Sequence, residues 1–159
     1  MFIFLFFFSA GIYPVHFEKN IHEGSYEAHI RSWFDQDKHK AWLQDTICSI
    51  SPFTHDILSA FYFIRSQKLE PGLDFMLNAV SGKKKYELIV LCHKRETITV
   101  KAGKFKTIIV EPKVVGVGLF KAKGKLRIWL TDDDRHIPVK MRSKIPVGSI
   151  TAELVKIQK

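Results

Sequence analysis

Between Ser51 and Gly72 the apolar residues recur at helical spacing, whereas beyond Gly72 they recur at every second position or in short solid runs. Ile57, Phe61 and Ile64 fall on one stripe, widened by Leu58, Ala60 and Tyr62, and this predicts one helix from about Pro52 to Lys68. Ser51 can cap its first turn, Pro52 suits the first helical position, and Asp56 lies early, where the helix dipole favours an anion. Arg65 and Lys68 occupy the last turn, and Glu70-Pro71-Gly72 ends it. A helix apolar over more than half its circumference should be covered, most simply by the concave face of a sheet.

After the helix, alternation or β-branched runs mark strands at 73–80, 86–92, 97–100, 104–110, 114–121, 125–131, 138–145 and 149–157. Turns are expected at 81–84, at Lys123-Gly124 and at Pro146-Val147-Gly148. Before the helix, 26–34 and 40–50 read as two strands joined by the polar turn 35–38, and 11–24 reads as turn chemistry around Tyr13-Pro14 and His22-Glu23-Gly24. The apolar run at 1–8 has no preceding Lys or Arg and is far short of the roughly 20 residues of a membrane span. It reads first as a strand remnant and second as a degenerate export signal. The expected fold is mainly β (α+β): a curved antiparallel meander or incomplete β-barrel packed around one central helix. A single domain over 1–159 is expected, lacking the first strands of a longer protein.

Charge adds a class of partner. Lys and Arg number 25 against 16 Asp and Glu, a formal net charge of +9, which favours anionic lipid or polyanion surfaces. Aromatic residues are not interleaved with the cations as a stacking platform, Trp129 excepted, so nucleic acid is disfavoured. Cys48 and Cys92 show no metal-ligand spacing and read as two buried thiols, or as one disulfide in an exported chain.

No catalytic constellation stands out, and neither a cofactor nor a metal is expected. Asp132-Asp133-Asp134, followed by Arg135 and His136, reads as a hairpin turn whose carboxylates bind backbone amides or Arg135. Consecutive carboxylates on an extended chain point to opposite faces and do not converge on an ion. His55-Asp56 reads as capping rather than as a base with its orienting carboxylate, and Cys92-His93 faces two ways on a strand.

The last strands carry the sharper signal. Lys125, Arg127 and Trp129 share one face of their strand, and Lys140, Arg142 and Lys144 share one face of theirs. Paired through the Asp132–Asp134 turn, the two strands would present five cations beside an indole, outward by default. Leu126, Ile128, Leu130, Val139, Met141 and Ile145, joined by Ile150, Ala152 and Leu154, take the opposite, interior face. That face would meet Ile57, Phe61 and Ile64, either as plain core or as the wall of an apolar cavity.

The segments HDILSAFYFIRSQKLEPG, GKFKTIIVEP, LFKAKGKLRIWLTDDDRHIPVKM and VGSITAELV resemble the bacterial domain-of-unknown-function family 3108 from about Glu23 to Leu154. The resemblance implies a longer N-terminus with an export signal and an envelope or periplasmic location. The closing strands are also similar in layout to Lol-type lipoprotein carriers, incomplete barrels that hold a helix and take up acyl chains; that is an analogy of fold. The first expectation is therefore a non-enzymatic envelope protein that binds a lipid or other apolar molecule between helix and sheet, at Ile57, Phe61, Ile64, Leu126, Ile128, Leu130 and Met141. The second is an interaction module that docks its basic face on anionic envelope lipid or polysaccharide, and the third a hydrolase using His55 or His136.

Overall fold

The computed structural model describes residues 2–8, 11–115, 125–145 and 147–158. It is mostly β, with two antiparallel sheets, one helix and, among the described residues, no closed barrel. The elements run β1 (Phe2–Phe8), β2 (Gly11–Glu23), β3 (Tyr26–Asp35), β4 (Lys40–Leu43), β5 (Thr46–Ser49), α1 (Ile57–Ser66), β6 (Phe75–Ser81), β7 (Lys84–Val100), β8 (Gly103–Val114), β9 (Leu126–Thr131), β10 (Pro138–Ile145) and β11 (Gly148–Glu153). Two compact units result: Met1–Phe63 with Leu77–Glu87, and Ile64–Met76 with Leu88–Lys159.

In the first unit β1 to β5 form a meander in chain order. The turn chemistry expected over 11–24 is in fact the 13-residue strand β2. Its proline is tolerated because the β1–β2 register shifts opposite it, between Phe4 and Leu5, where a ladder bond is lost in any case. The single strand expected over 40–50 breaks in two at Gln44, whose φ of 58° turns the chain between β4 and β5. Phe34, Ala41, Leu43, Ile50 and Val80 form the buried cluster, with Phe17 and Cys48 packed against it.

The helix starts five residues later than Pro52 and ends two before Lys68. Phe53 has a φ of 56°, and His55 forms a parallel bridge to Ala79, its amide donating to Asn78 O (2.8 Å) and its carbonyl accepting from Val80 N (2.7 Å). Neither geometry is helical, so the cap passes from Ser51 to Asp56. Asp56 Oδ1 accepts the amides of Leu58 (2.7 Å) and Ser59 (3.2 Å), and Ser59 Oγ accepts the Asp56 amide (2.9 Å), a reciprocal capping box.

The second sheet has the order β11-β10-β9-β8-β7-β6. The strands expected at 86–92 and 97–100 are one strand, β7, which stays paired with β8 through a register shift between Cys92 and Arg95. Val90, Ile108, Val110, Ile128, Leu130 and Val139 are buried. Val114 closes β8; the rest of the strand expected at 114–121, the Lys123-Gly124 turn and Pro146 lie outside the described residues, Val115 excepted.

Candidate functional site

The pairing expected of the two strands flanking the aspartate turn is present. β9 and β10 run antiparallel with Trp129 opposite Lys140, Arg127 opposite Arg142 and Leu126 opposite Ser143, and the Lys144 amide donates to Lys125 O at 2.9 Å. Opposed residues of an antiparallel pair share a face, so Lys125, Arg127, Lys140, Arg142 and Lys144 come together beside Trp129. Lys125, Arg127, Arg142 and Lys144 are exposed.

The face is not solvated throughout, as the bare alternation suggested. Trp129 is only 8% exposed, and its Nε1–H donates to Glu96 Oε1 (2.7 Å) while Lys140 Nζ lies 5.8 Å from its ring centre. Ile109, opposite Trp129 on β8, is buried as well. Glu111, 2% exposed on the same strand, accepts from His93 Nε2 (3.0 Å) and Arg127 Nε (3.3 Å) through Oε2. Burial pushes its carboxyl up, but the His93 and Arg127 hydrogen bonds outweigh this and hold it below the usual range. Glu96 is also lowered, first by its bond to Lys94 and then by that to Trp129.

Anions thus offset part of the face. Lys140 pairs with Glu153 (2.7 Å) and Arg127 with Glu111. Among the described residues Lys125, Arg142 and Lys144 make no ion pair within 4 Å. Those three, with Arg127, are what a polyanion would meet. Glu111 was missed by sequence reasoning, and His93 was weighed only with Cys92; the alternation Thr107, Ile109, Glu111 would have shown the carboxylate once β8 was set in register with β9.

The apolar candidates are dispersed. Ile128 and Leu130 are among the largest fully or nearly fully buried side chains, Ile64 is buried, and Phe61, Leu126 and Met141 are half-buried. Ile57 is 53% exposed. Ile150, expected inside, is 63% exposed on β11, which lies at the edge of its sheet. Within the first unit Ile57 and Leu58 line a groove of 220 Å³ with Phe17 of β2, Ile30 of β3 and Val80 of β6. Asp56 and the exposed Lys19 complete its chemistry, and Gly82, at φ 58°, turns the chain beside it.

The remaining sequence candidates are engaged structurally. Asp133 accepts from Thr131 Oγ1 (2.6 Å) and from the Arg135 amide and guanidinium, which keeps its carboxyl low, and Asp132 pairs with Arg95 (3.0 Å). His136 Nδ1 donates to Arg65 O (2.7 Å), and Arg65 Nε donates to His136 O (2.8 Å). His55 is 1% exposed against the Phe63 ring, 4.8 Å between centres, and burial pushes its pKa down to about 4. Cys48 and Cys92 are free thiols.

No curated protein and no solved structure matches the chain, Lol-type carriers included. The family model described as "Protein of unknown function (DUF3108)" matches residues 6–155, nearly the whole chain, and the protein belongs to that family.

Proposed function

We propose that the protein is a non-enzymatic envelope module that docks on anionic lipid headgroups through the β9–β10 face. The observation that carries this reading is the cross-strand opposition of Lys125 to Lys144 and of Arg127 to Arg142, where only Arg127 has a carboxylate partner among the described residues. Like charges set opposite one another oppose folding, and a bound anion converts that repulsion into attraction. The envelope setting is the one the family resemblance implies. The two histidines that a hydrolase would use are spent elsewhere, His55 in packing and His136 on a backbone carbonyl.

Vesicle co-sedimentation tests it. The protein should pellet with phosphatidylglycerol-containing vesicles and not with pure phosphatidylcholine, and binding should fall steeply with added salt. Each surface cation contributes about 1 kcal/mol, so replacing Lys125, Arg142 and Lys144 together by Gln should weaken binding by roughly two orders of magnitude. Equal binding to both lipids, or a variant that binds as wild type does, would refute the proposal; retention on an acidic polysaccharide but not on lipid would reassign the partner.

A second reading, binding of an apolar molecule beside the helix, is favoured by the 220 Å³ groove at the first turn of α1.

A further inference from the structure

We propose that the open edge of β11 takes an extended acidic peptide as an added antiparallel strand, its carboxylates reaching Arg142 and Lys144. The proposal goes beyond headgroup docking and rests on a different observation, the unpaired edge. β11 ends its sheet, and among the described residues only β10 pairs with it. The direction of its free backbone groups follows from two hydrogen bonds. The Lys144 amide donates to Lys125 O, on the β9 side of β10 (2.9 Å), and the Leu154 amide donates to Val139 O (2.8 Å). Hydrogen-bonded and non-hydrogen-bonded pairs alternate along an antiparallel ladder, so Lys144 with Ser149, Arg142 with Thr151 and Lys140 with Glu153 are the non-hydrogen-bonded ones. The amides and carbonyls of Ser149, Thr151 and Glu153 therefore point away from β10, along a strand whose six residues are all exposed.

The same edge selects its occupant. Opposed residues share a face, so Ser149 and Thr151 lie on the face of Lys144 and Arg142. Both cations are exposed, and neither makes an ion pair among the described residues. A strand added outside β11 would lie two strand spacings from β10, about 10 Å. Only the short side chains of Ser149 and Thr151 stand between, so a long cation and a glutamate extended from either side can meet. Glu153 is already matched by Lys140 (2.7 Å), which places the wanted carboxylates opposite Thr151 and Ser149. On the other face the exposed Ile150 favours an apolar residue between them. A second copy fits worse, because antiparallel β11–β11 pairing brings Arg142 and Lys144 of both chains onto one side of the joined sheet.

The experiment is calorimetric and NMR titration of the full chain with three end-blocked peptides: Thr-Val-Glu-Val-Glu-Val-Thr, its Lys-for-Glu counterpart, and a form N-methylated at both glutamates, whose amides would bond Thr151 and Ser149. The acidic peptide should bind, and the other two at least about tenfold more weakly. Thr151→Pro removes an outward amide that β10 does not use, a change an edge strand tolerates. It should weaken the acidic peptide by about tenfold or more, with circular dichroism confirming the fold, and leave vesicle pelleting as it is, since every cation is kept. Arg142→Gln combined with Lys144→Gln should weaken the acidic peptide by a similar factor. No binding of the acidic peptide up to about 1 mM, or equal binding of the lysine peptide, would overturn the proposal. Binding to the wild-type chain unmoved by N-methylation would overturn it as well and leave surface charge alone as the contact. Low-salt dimers that Thr151→Pro dissociates would give the edge to a second copy instead.

Discussion

Arg127 and Arg142 stand directly opposite each other across β9 and β10. Glu111 balances the first, and no carboxylate among the described residues balances the second. Reversing the charge at Arg142 should therefore separate stability from binding. Arg142→Glu should raise the unfolding free energy measured in urea by a few tenths of a kcal/mol, because a repulsive pair becomes attractive, and should weaken association with anionic vesicles. A variant that is both less stable and bound as tightly would contradict this account of the face.

The pH response of the fold should be dominated, above pH 4, by His55 of the first unit. Unfolded His55 takes up a proton near its ordinary 6.5, and folded His55 only near 4, because burial disfavours the charge. Between those values the unfolded chain binds more protons, so stability is full above 6.5 and is lost as pH falls towards 4. The loss is about 3 kcal/mol. His55→Phe, which keeps a ring beside Phe63, should flatten that part of the profile in urea titrations at stepped pH.

Glu111 acts in a lower window. Its folded carboxyl lies below the ordinary 4.5, so its contribution is present above that value and fades as pH falls through the lowered one. Glu111→Gln should cost about 1–3 kcal/mol at neutral pH, since His93 and Arg127 lose a charged acceptor, and much less in strong acid. Denaturation of both proteins at stepped pH, from 7 downwards, should show the gap between them closing as the pH falls through the lowered value. The same change adds one net positive charge to the face and should tighten vesicle binding.

The two thiols should react at different rates. Cys92 is buried, and burial together with nearby Asp74 raises its thiol above the ordinary value, whereas Cys48 is half-buried. A disulfide reagent should modify Cys48 first, and Cys92 chiefly on unfolding, as mass spectrometry of time points would reveal.

The residues that were legible in the sequence were those whose neighbours are close in the chain. β10 begins and ends where alternation placed it, at Pro138 and Ile145, and the Asp132–Asp134 turn sets its register with β9. His55-Asp56 was legible as capping, but the first turn was placed at Ser51 and Pro52, because the bridge that pulls His55 out of helical geometry is made with Ala79, 24 residues away in the chain. β2 was hidden by local signals, Tyr13-Pro14 and His22-Glu23-Gly24, which a paired strand overrides when its partners leave room for a bulge. The Glu111–His93 pair and the buried, unpartnered Oδ2 of Asp56 depend on long-range placement, which pattern alone does not supply.

β11 has one further implication. All six of its residues are exposed, and among the described residues only β10 pairs with it, so its other side offers backbone amides and carbonyls to any extended chain. Ile150 is the apolar centre of that edge, opposite Ser143, while Lys144 and Glu153 occupy the other face of the same strand pair. Charges near an edge discourage copies of a protein from adding strand to strand, and salt shortens their reach to about 3 Å at 1 M. If the proposed docking holds, the solution behaviour should run opposite to it: salt that would release the protein from anionic vesicles should bring its own molecules closer to strand-to-strand self-association.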